Sequence, residues 1–236
     1  MARIETISFD GDDTLWHTQD AFESVEERFR TLLARYLHGE AVSEHLYGIE
    51  MRNLRRFGYG AKGFILSLIE TAIEVSGSAI TAAEIEVILS FLRELLDRPV
   101  TLLEGVRETL ARLSVEHNLV LLTKGDLFDQ ELKIARSGLA ELFSQVRIVS
   151  EKNDLAYSGL LSHCGTPPAQ LAMVGNSLRS DILPAIGRGI YAIHIPYHVT
   201  WKHESAGSTP ESSPLYRHAE TMAEVPSIIR QIGSAV

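Results

Sequence analysis

The segment Ile7–Leu15 reads ISFDGDDTL, a short apolar strand that runs directly into three aspartates around a glycine. Asp10 and Asp12 concentrate negative charge at the end of a buried strand, which is costly unless a cation or protons neutralise it. A hard divalent cation such as Mg²⁺ is the natural neutraliser. A turn or a helix N-cap would explain one or two of these aspartates but explains three poorly. An EF-hand loop does not fit either, because Thr14 and Leu15 stand where further ligands are required.

Four later apolar runs have the length and composition of strands that are buried on both faces of a parallel sheet. These runs are Leu119–Leu122, Val146–Val149, Leu171–Val174 and Ile190–Ile193. Helical patterns of crossover length lie between the later runs, at Asp129–Ser137 and Asp181–Arg188. The sequence therefore predicts an α/β fold, doubly wound around a mostly parallel sheet.

The connection after the first strand is different, because residues 18–98 carry helical periodicity with no convincing strand. Three amphipathic stretches lie near residues 22–36, 64–73 and 85–96, and a fourth helix is expected between Tyr36 and Phe57. Thr81 followed by Glu84 predicts a capping box. We therefore predict an all-helical cap, residues 18–98, inserted into a core of residues 1–17 and 99–236.

Composition narrows the classes of protein that are open. The 236 residues are 45% hydrophobic and 22% charged, as in a soluble globular protein with a sizeable core. The net charge of −9 and the scattered Lys and Arg residues argue against a nucleic-acid partner. Cys164 is the single cysteine, and no signal-like or bilayer-length segment is visible. We expect a cytoplasmic protein without a membrane partner, and the sequence leaves the oligomeric state open.

Polar residues also follow three of the later predicted strands. Thr123 follows the second strand, where a hydroxyl and backbone N–H groups suit a phosphate oxygen, and Lys124 is a further substrate-binding candidate. Lys152 follows the third strand, and the glycine turn Gly175–Asp181 follows the fourth. Each feature alone would be an ordinary cap or surface residue. Together they lie at the carboxyl ends of parallel strands, where open α/β sheets bind ligands, and they predict phosphoryl transfer.

The order of these motifs resembles the haloacid dehalogenase (HAD) superfamily, in its phosphatase branch with a helical C1-type cap. The superfamily pattern Asp-x-Asp-x-Thr is satisfied by Asp10, Asp12 and Thr14. The later motifs of the resemblance are Thr123, Lys152 and Gly175-Asn176-Ser177 with Asp181. The resemblance implies a HAD-like Rossmannoid core and a Mg²⁺-dependent phosphohydrolase that acts on a small phosphorylated metabolite.

The resemblance also implies a role for each residue. Asp10 would be the nucleophile that forms an aspartyl-phosphate. Asp12 would protonate the leaving group and then activate water. Thr123 and Lys152 would hold the phosphoryl oxygens, and Thr14 would orient the loop. The metal would be held by Asp10, the backbone carbonyl of Asp12 and the fourth motif.

The fourth motif departs from the family pattern at one position. The family often has an acid directly after the glycine, and Asn176 stands there in this chain. An amide oxygen can coordinate magnesium but brings no charge, and Asp181 could supply the carboxylate directly or from the second coordination sphere. We keep both residues as metal candidates and expect weakened metal affinity.

Two other patterns require a decision. Gly58–Gly63 reads GYGAKG, a literal dinucleotide fingerprint, but it follows a charged helical stretch rather than a strand. We interpret it either as a specificity loop through which Tyr59 and Lys62 reach the substrate, as the resemblance suggests, or as a plain interhelical loop. The histidines 194, 198 and 203 lack the spacing of a zinc site, and packing explains them better.

Three alternative functions stay open at this point. A 2-haloacid dehalogenase uses the same aspartate nucleophile, but it leaves no oxygen that requires a proton, so Asp12 argues against it. A phosphomutase would use the same residues and differ only in the acceptor. A non-catalytic module that binds a phosphorylated ligand is disfavoured, because all the residues of the resemblance except the acid at position 176 are present.

Overall fold

The computed structural model describes residues 3–205 and 208–234. Its centre is a six-stranded parallel sheet in the order β3-β2-β1-β4-β5-β6. The strands are β1 (Thr6–Phe9), β2 (Asn118–Lys124), β3 (Gln145–Val149), β4 (Leu171–Gly175), β5 (Tyr191–His194) and β6 (Tyr216–His218). The chain leaves β1 on one side to form β2 and β3 and returns to its other side to form β4, so the predicted doubly wound α/β fold is confirmed.

The first strand, β1, lies in the middle of the sheet, and both of its faces are covered by helices. All four residues of β1 are buried, as is expected for a parallel strand with helices on both faces of the sheet. Phe9 pairs with Leu121 on one side and with Val174 on the other. The backbone N–H of Asp10 then donates to the carbonyl of Val174 at 2.9 Å. The residues that follow β1 and β4 are therefore held at the same level of the sheet edge.

The five predicted strands are confirmed, and two later details differ from the prediction. The edge strand β6 was missed because it is three residues long, mostly polar, and pairs only with β5. The predicted helix at Asp181–Arg188 is a π-helical turn, Leu178–Ile182, followed by the short helix α8, Leu183–Gly187. Single π-helical turns are frequent at functional sites, and this one contains Asp181.

Contacts divide the chain into two compact units. The first consists of the described parts of residues 1–19, 100–124 and 131–236, and it contains the sheet. Helices α5 (Val106–Leu113) and α9 (Val225–Ser234) cover one face of the sheet, where Phe9 and Leu121 pack. Helices α7 (Asp154–Cys164) and α8 cover the other face, where Val120 and Met173 pack. Alternate residues of the strands thus bury themselves in two different clusters.

The second unit consists of residues 20–99 and 125–130. Its helices are α1 (Gln19–Leu33), α2 (Gly39–Phe57), α3 (Ala61–Val75) and α4 (Ala82–Asp97), and they enclose one apolar cluster. The four predicted helices are confirmed. The capping box is confirmed too, since Thr81 Oγ1 accepts from the N–H of Glu84 and the Glu84 carboxylate accepts from the N–H of Thr81. Residues 125–130 of this unit, which contain the start of α6 (Leu127–Ser137), fell within the predicted core, residues 99–236.

The GYGAKG segment joins α2 to α3. Gly58 and Gly60 adopt φ values of 69° and 107°, which favour glycine. A Cβ atom on Gly63 would lie 2.7 Å from the carbonyl oxygen of Gly58, so this turn requires a third glycine. The segment follows a helix instead of a strand, and the dinucleotide interpretation therefore lacks its structural context.

Two further expectations from the sequence concern a membrane-spanning helix and a flexible loop. None of the helices in residues 3–205 and 208–234 combines the length and apolarity that a bilayer span requires. The segment Ser205–Pro214 is rich in Ser, Pro and Gly, which predicts a flexible loop, and residues 206 and 207 of that segment lie outside the described residues. A short 3₁₀ helix, Lys202–Glu204, immediately precedes it.

Candidate active site

The carboxyl ends of three strands bring together a buried carboxylate pair and one lysine. Asp10 directly follows β1, Lys152 lies three residues after β3, and Asp181 lies in the π-helical turn after β4. The Nζ atom of Lys152 donates to Oδ1 of Asp10 and, at 2.7 Å, to Oδ1 of Asp181. The exposed fractions of these side chains are 1% for Lys152, 10% for Asp10 and 0% for Asp181. The structure thus brings three of the predicted site residues together.

The charges of this cluster are unbalanced, because two buried carboxylates share one ammonium group. Burial and the charge of Asp181 raise the pKa of Asp10 to about 7, against the opposing effect of Lys152. Burial alone would lower the pKa of Lys152, but the two carboxylates outweigh burial and raise it. A second cation near these oxygens would relieve the excess of negative charge.

Backbone and side-chain donors fix Asp181 in place. Its Oδ2 atom accepts from the backbone N–H of Ser177 at 3.0 Å. The buried hydroxyl of Tyr157 donates to the backbone carbonyls of Ser180 and Asp181, at 2.9 and 3.0 Å. The sequence analysis did not identify Tyr157, and it gave Ser177 no role of its own within the fourth motif. The available signals were the position of Tyr157 on the helix after Lys152 and the place of Ser177 within the fourth motif.

Trp16, Thr18 and Lys133 donate hydrogen bonds to the second carboxylate, Asp12. Oδ1 accepts from Trp16 Nε1 at 2.7 Å and from Thr18 Oγ1 at 2.8 Å. Lys133 Nζ lies 3.0 Å from Oδ1 and 3.1 Å from Oδ2. Lys133, on α6, is largely buried, and the sequence analysis missed it because nothing in the local sequence distinguishes it from a surface lysine.

The loop between β1 and α1 is held by Asp13, whose role the sequence left open. Asp13 adopts a φ of 62°, and its Oδ1 accepts from the backbone N–H groups of Thr18 and Gln19 at 2.8 and 3.0 Å. Burial raises the pKa of Asp13 to about 7, against the effect of the Gln19 and Thr18 N–H groups. Asp13 therefore caps the start of α1 and closes the loop that carries Asp10 and Asp12.

Thr123 presents a buried hydroxyl next to this loop. Its Oγ1 has no hydrogen-bond partner among the described residues. A Cβ atom on Gly11 would lie 3.1 Å from that oxygen and 2.8 Å from the Trp16 ring, so glycine leaves the space beside the hydroxyl open. Buried hydroxyl groups without a partner are uncommon in folded proteins, and this one is available for a ligand oxygen.

The side chain of Lys124 contacts Ser180 and Glu204, and its contact with a substrate stays a prediction. Its Nζ donates to the carboxylate of Glu204 and, at 2.8 Å, to Ser180 Oγ. Glu204 also accepts from the hydroxyl groups of Ser177 and Ser180, each at 2.6 Å. Burial would raise the pKa of Glu204, but Lys124 and the serine hydroxyls lower it to about 2. Lys124 and Glu204 therefore stabilise the turn after β4 through Ser177 and Ser180. The sequence analysis did not identify Glu204.

The two candidate residues of the cap belong to the second unit. Lys62 Nζ donates to Asp126 Oδ1 at 2.9 Å and lies 5.3 Å from the centre of the Phe128 ring. Tyr59 is half-buried in the loop between α2 and α3. Contact between either residue and a substrate stays a prediction.

His194, at the end of β5, supports the fourth motif. Its Nε2–H donates to the carbonyl of Asn176 at 3.0 Å, and its Nδ1 lies 3.2 Å from the hydroxyl of Tyr216. Burial lowers the pKa of His194, which favours the neutral ring. Within the described residues, no group of three or more His, Cys, Asp or Glu side chains is arranged to hold a metal ion. The contacts of His194 fit its interpretation as a packing residue.

The side-chain oxygens of Asp10, Asp181 and Asn176 at the sheet edge are suitable ligands for a hard cation. Asp10 and Asp181 offer buried carboxylate oxygens with one ammonium group between them. Asn176 adds an amide oxygen, which also accepts from Thr14 Oγ1 at 3.3 Å. Oxygen donors with excess negative charge are what Mg²⁺ prefers in proteins. The candidate donor set is therefore Asp10, Asp181, Asn176 and the backbone carbonyl of Asp12.

Comparison with known proteins places this geometry in a family. The sequence profile of the haloacid dehalogenase-like hydrolases matches residues 4–187. A haloacid dehalogenase-like family hydrolase from Xanthomonas campestris is 39% identical, with a TM-score of 0.88 over 98% of this chain and 92% of that chain. The comparison with curated proteins finds no match.

Two more distant structures share the fold. The HAD-hydrolase YfnB from Bacillus subtilis, solved with bound magnesium, has 17% identity and a TM-score of 0.67 over 97% of this chain and 99% of that chain. A 2-haloacid dehalogenase from Pseudomonas syringae pv. tomato has 20% identity and a TM-score of 0.62 over the same shares. The profile match and the Xanthomonas relative identify this chain as a member of the haloacid dehalogenase-like hydrolase family.

Proposed function

We propose that the protein is a Mg²⁺-dependent phosphohydrolase that cleaves a small phosphomonoester through an aspartyl-phosphate on Asp10. The observation that carries the proposal is the second carboxylate, Asp12, which stands two residues after Asp10 and is held by Trp16, Thr18 and Lys133. An alkoxide leaving group requires a proton, whereas a halide does not. A positioned acid beside the nucleophile therefore favours phosphoester cleavage over dehalogenation.

In the first step a carboxylate oxygen of Asp10 attacks phosphorus, and the bond from phosphorus to the leaving oxygen breaks. The leaving oxygen takes its proton from Asp12, so an alcohol departs and the phosphoryl group stays on Asp10. Lys152 lies beside Asp10 and offsets negative charge that develops on the transferring group. The unpaired hydroxyl of Thr123 donates to one phosphoryl oxygen.

In the second step water attacks phosphorus while Asp12 accepts its proton. The bond between phosphorus and the Asp10 oxygen breaks, inorganic phosphate leaves, and the Asp10 carboxylate is restored. When bound, Mg²⁺ supplies positive charge that lets one anion approach another, and Asp10, the Asp12 carbonyl, Asn176 and Asp181 would hold it. Asp181 is kept in place for this role by the Ser177 N–H and by the backbone that Tyr157 fixes.

The test is hydrolysis of para-nitrophenyl phosphate and of a panel of metabolite phosphates with and without Mg²⁺. We expect turnover in the wild type that requires the metal, and a loss of at least about a thousandfold in Asp10→Asn. The matched control is Asp154→Asn, because Asp154 is an exposed aspartate that pairs with Arg188. Turnover in Asp10→Asn equal to that of the wild type would refute the proposal.

The same preparations also separate the phosphatase from the dehalogenase. Release of chloride from 2-chloropropionate, without release of phosphate from any ester, would replace the proposed function by dehalogenation. Acid quench of the wild type during turnover should trap a phosphorylated chain, and Asp10→Asn should trap none.

We also propose a cytoplasmic setting, which rests on the single cysteine, Cys164.

A further inference from the structure

Lys133 is a largely buried lysine to which the family motifs assign no role. Its exposed fraction is 10%, and that of its partner Asp12 is 25%. A lysine loses side-chain entropy and hydration when it is buried, so its contact must compensate for both. The pair of hydrogen bonds to the two oxygens of Asp12 contributes to this compensation.

Trp16, Thr18 and Lys133 contact the Asp12 carboxylate in different ways. Trp16 Nε1 and Thr18 Oγ1 both donate to Oδ1, so they fix the position of only one carboxylate oxygen. Lys133 reaches both oxygens, at 3.0 and 3.1 Å, and therefore fixes the rotation of the carboxylate plane about the bond between Cβ and Cγ. Proton transfer depends on this orientation. Loss of Lys133 would therefore keep the Asp12 carboxyl but leave it poorly oriented toward the leaving-group oxygen.

We propose that Lys133 is a positioning residue that aims the Asp12 carboxylate at the leaving-group oxygen. The inference rests on the proposed function, since it assumes that Asp12 donates a proton to that oxygen. Lys133 acts through Asp12, so its removal should matter most where protonation of the leaving group matters most. A good leaving group such as para-nitrophenolate needs little protonation, whereas phenolate needs more.

The readout is the ratio of kcat/KM for para-nitrophenyl phosphate to kcat/KM for phenyl phosphate. This quantity reports the steps up to formation of the aspartyl-phosphate, in which the leaving group departs. A positioned acid contributes about a hundredfold or more, so we expect Lys133→Met to raise the ratio by about tenfold. Lys133→Arg should keep the ratio near that of the wild type, because a guanidinium group can also contact both carboxylate oxygens.

A double-mutant cycle connects the effect to Asp12. Asp12→Asn should raise the ratio by itself, and Lys133→Met added to Asp12→Asn should raise it no further. The control for damage to α6 is Arg107→Met, because Arg107 donates to the backbone carbonyls of Ser137 and Gly138 at the end of that helix and makes no contact with Asp12 in the described hydrogen bonds. Arg107→Met should leave the ratio unchanged whatever it does to stability.

The results separate the inference from the proposed function. Equal loss of kcat/KM for both esters in Lys133→Met, or a rise of the ratio in Arg107→Met as large as in Lys133→Met, would overturn the role of Lys133. A further rise when Lys133→Met is added to Asp12→Asn would overturn it too. If Lys133→Met does not fold, Lys133→Gln is measured against the same criteria. An inactive wild type would refute the proposed function instead.

Discussion

Gly175 lies so close to Asp181 that a Cβ atom at position 175 would stand 2.3 Å from Oδ2 and 2.4 Å from Cγ of the carboxylate. Both distances are much shorter than a van der Waals contact. Because the Asp181 carboxylate lies against the end of β4, only glycine fits at position 175. This relationship explains why the turn after the strand begins with a residue that has no side chain.

The substitution Gly175→Ala should therefore displace Asp181 and separate it from Lys152. We expect kcat/KM to fall by at least about a hundredfold, since a misplacement of about 1 Å can cost that much. Gly187→Ala is the control, because a Cβ atom there would meet nothing within 4 Å. Steady-state kinetics with thermal unfolding measure the effect, and a Gly175→Ala enzyme with unchanged kcat/KM would show that Asp181 does not need this position.

Asn176→Asp tests the departure from the family pattern. An added carboxylate brings negative charge to the fourth motif, so the Mg²⁺ concentration for half-maximal activation should fall by about tenfold. The carboxylate can still accept from the Thr14 hydroxyl, which lies 3.3 Å from Oδ1 of Asn176. Mg²⁺ titration of the activity compares the two proteins, with Asn118→Asp at the exposed start of β2 as the control. Unchanged or weaker activation would remove Asn176 from the metal donors.

The strand ends of the site could be predicted from the sequence because they depend on local patterns. A strand buried on both faces leaves an apolar run, and its first polar residues mark the edge where ligands bind. The run that ends at Phe9 therefore located Asp10, and the run that ends at Leu122 located Thr123. The capping box at Thr81 was predictable for the same reason, since both partners lie within one turn.

The residues that the sequence analysis missed depend on tertiary contacts. Lys133 lies 121 positions from Asp12, and Glu204 lies 80 positions from Lys124. In the sequence each resembles an ordinary charged residue of a helix or loop, and only the fold reveals that both are mostly buried against charged partners. The position of Lys124 beside Thr123 predicted a contact with the substrate, and the contact of its side chain with Glu204 could not be predicted in the same way.

Asp13 provides a test of the loop that carries the catalytic carboxylates. Asp13→Ala removes the acceptor of two N–H groups and leaves alanine at a φ of 62°, so the free energy of unfolding should fall by about 2 kcal/mol. Asp13→Asn keeps an oxygen acceptor and a residue that tolerates this φ, and it should stay within about 0.5 kcal/mol of the wild type. Urea unfolding without added metal measures both, and equal effects of the two variants would contradict the capping role.

Glu204 should give the protein a stability that depends on acid pH. Its pKa is lowered from 4.5 to about 2 in the folded protein, so the folded state favours the charged form. The resulting stability is fully present above about pH 4.5 and is lost as the pH falls toward about 2. Relative to Glu204→Gln, the wild type should gain on the order of 3 kcal/mol in the free energy of unfolding at pH 7.

Urea unfolding at several pH values checks this dependence. The difference in unfolding free energy between the wild type and Glu204→Gln should shrink to less than half between about pH 6 and about pH 3. Over this range Glu204 of the unfolded chain becomes protonated, whereas the folded protein still holds the charged carboxylate with Lys124, Ser177 and Ser180. Glu220→Gln is the control, since Glu220 is mostly exposed and pairs with His218 on the surface. A difference that stayed constant over this range would mean that the Glu204 side chain stabilises the turn after β4 through packing and neutral hydrogen bonds instead of through its charge.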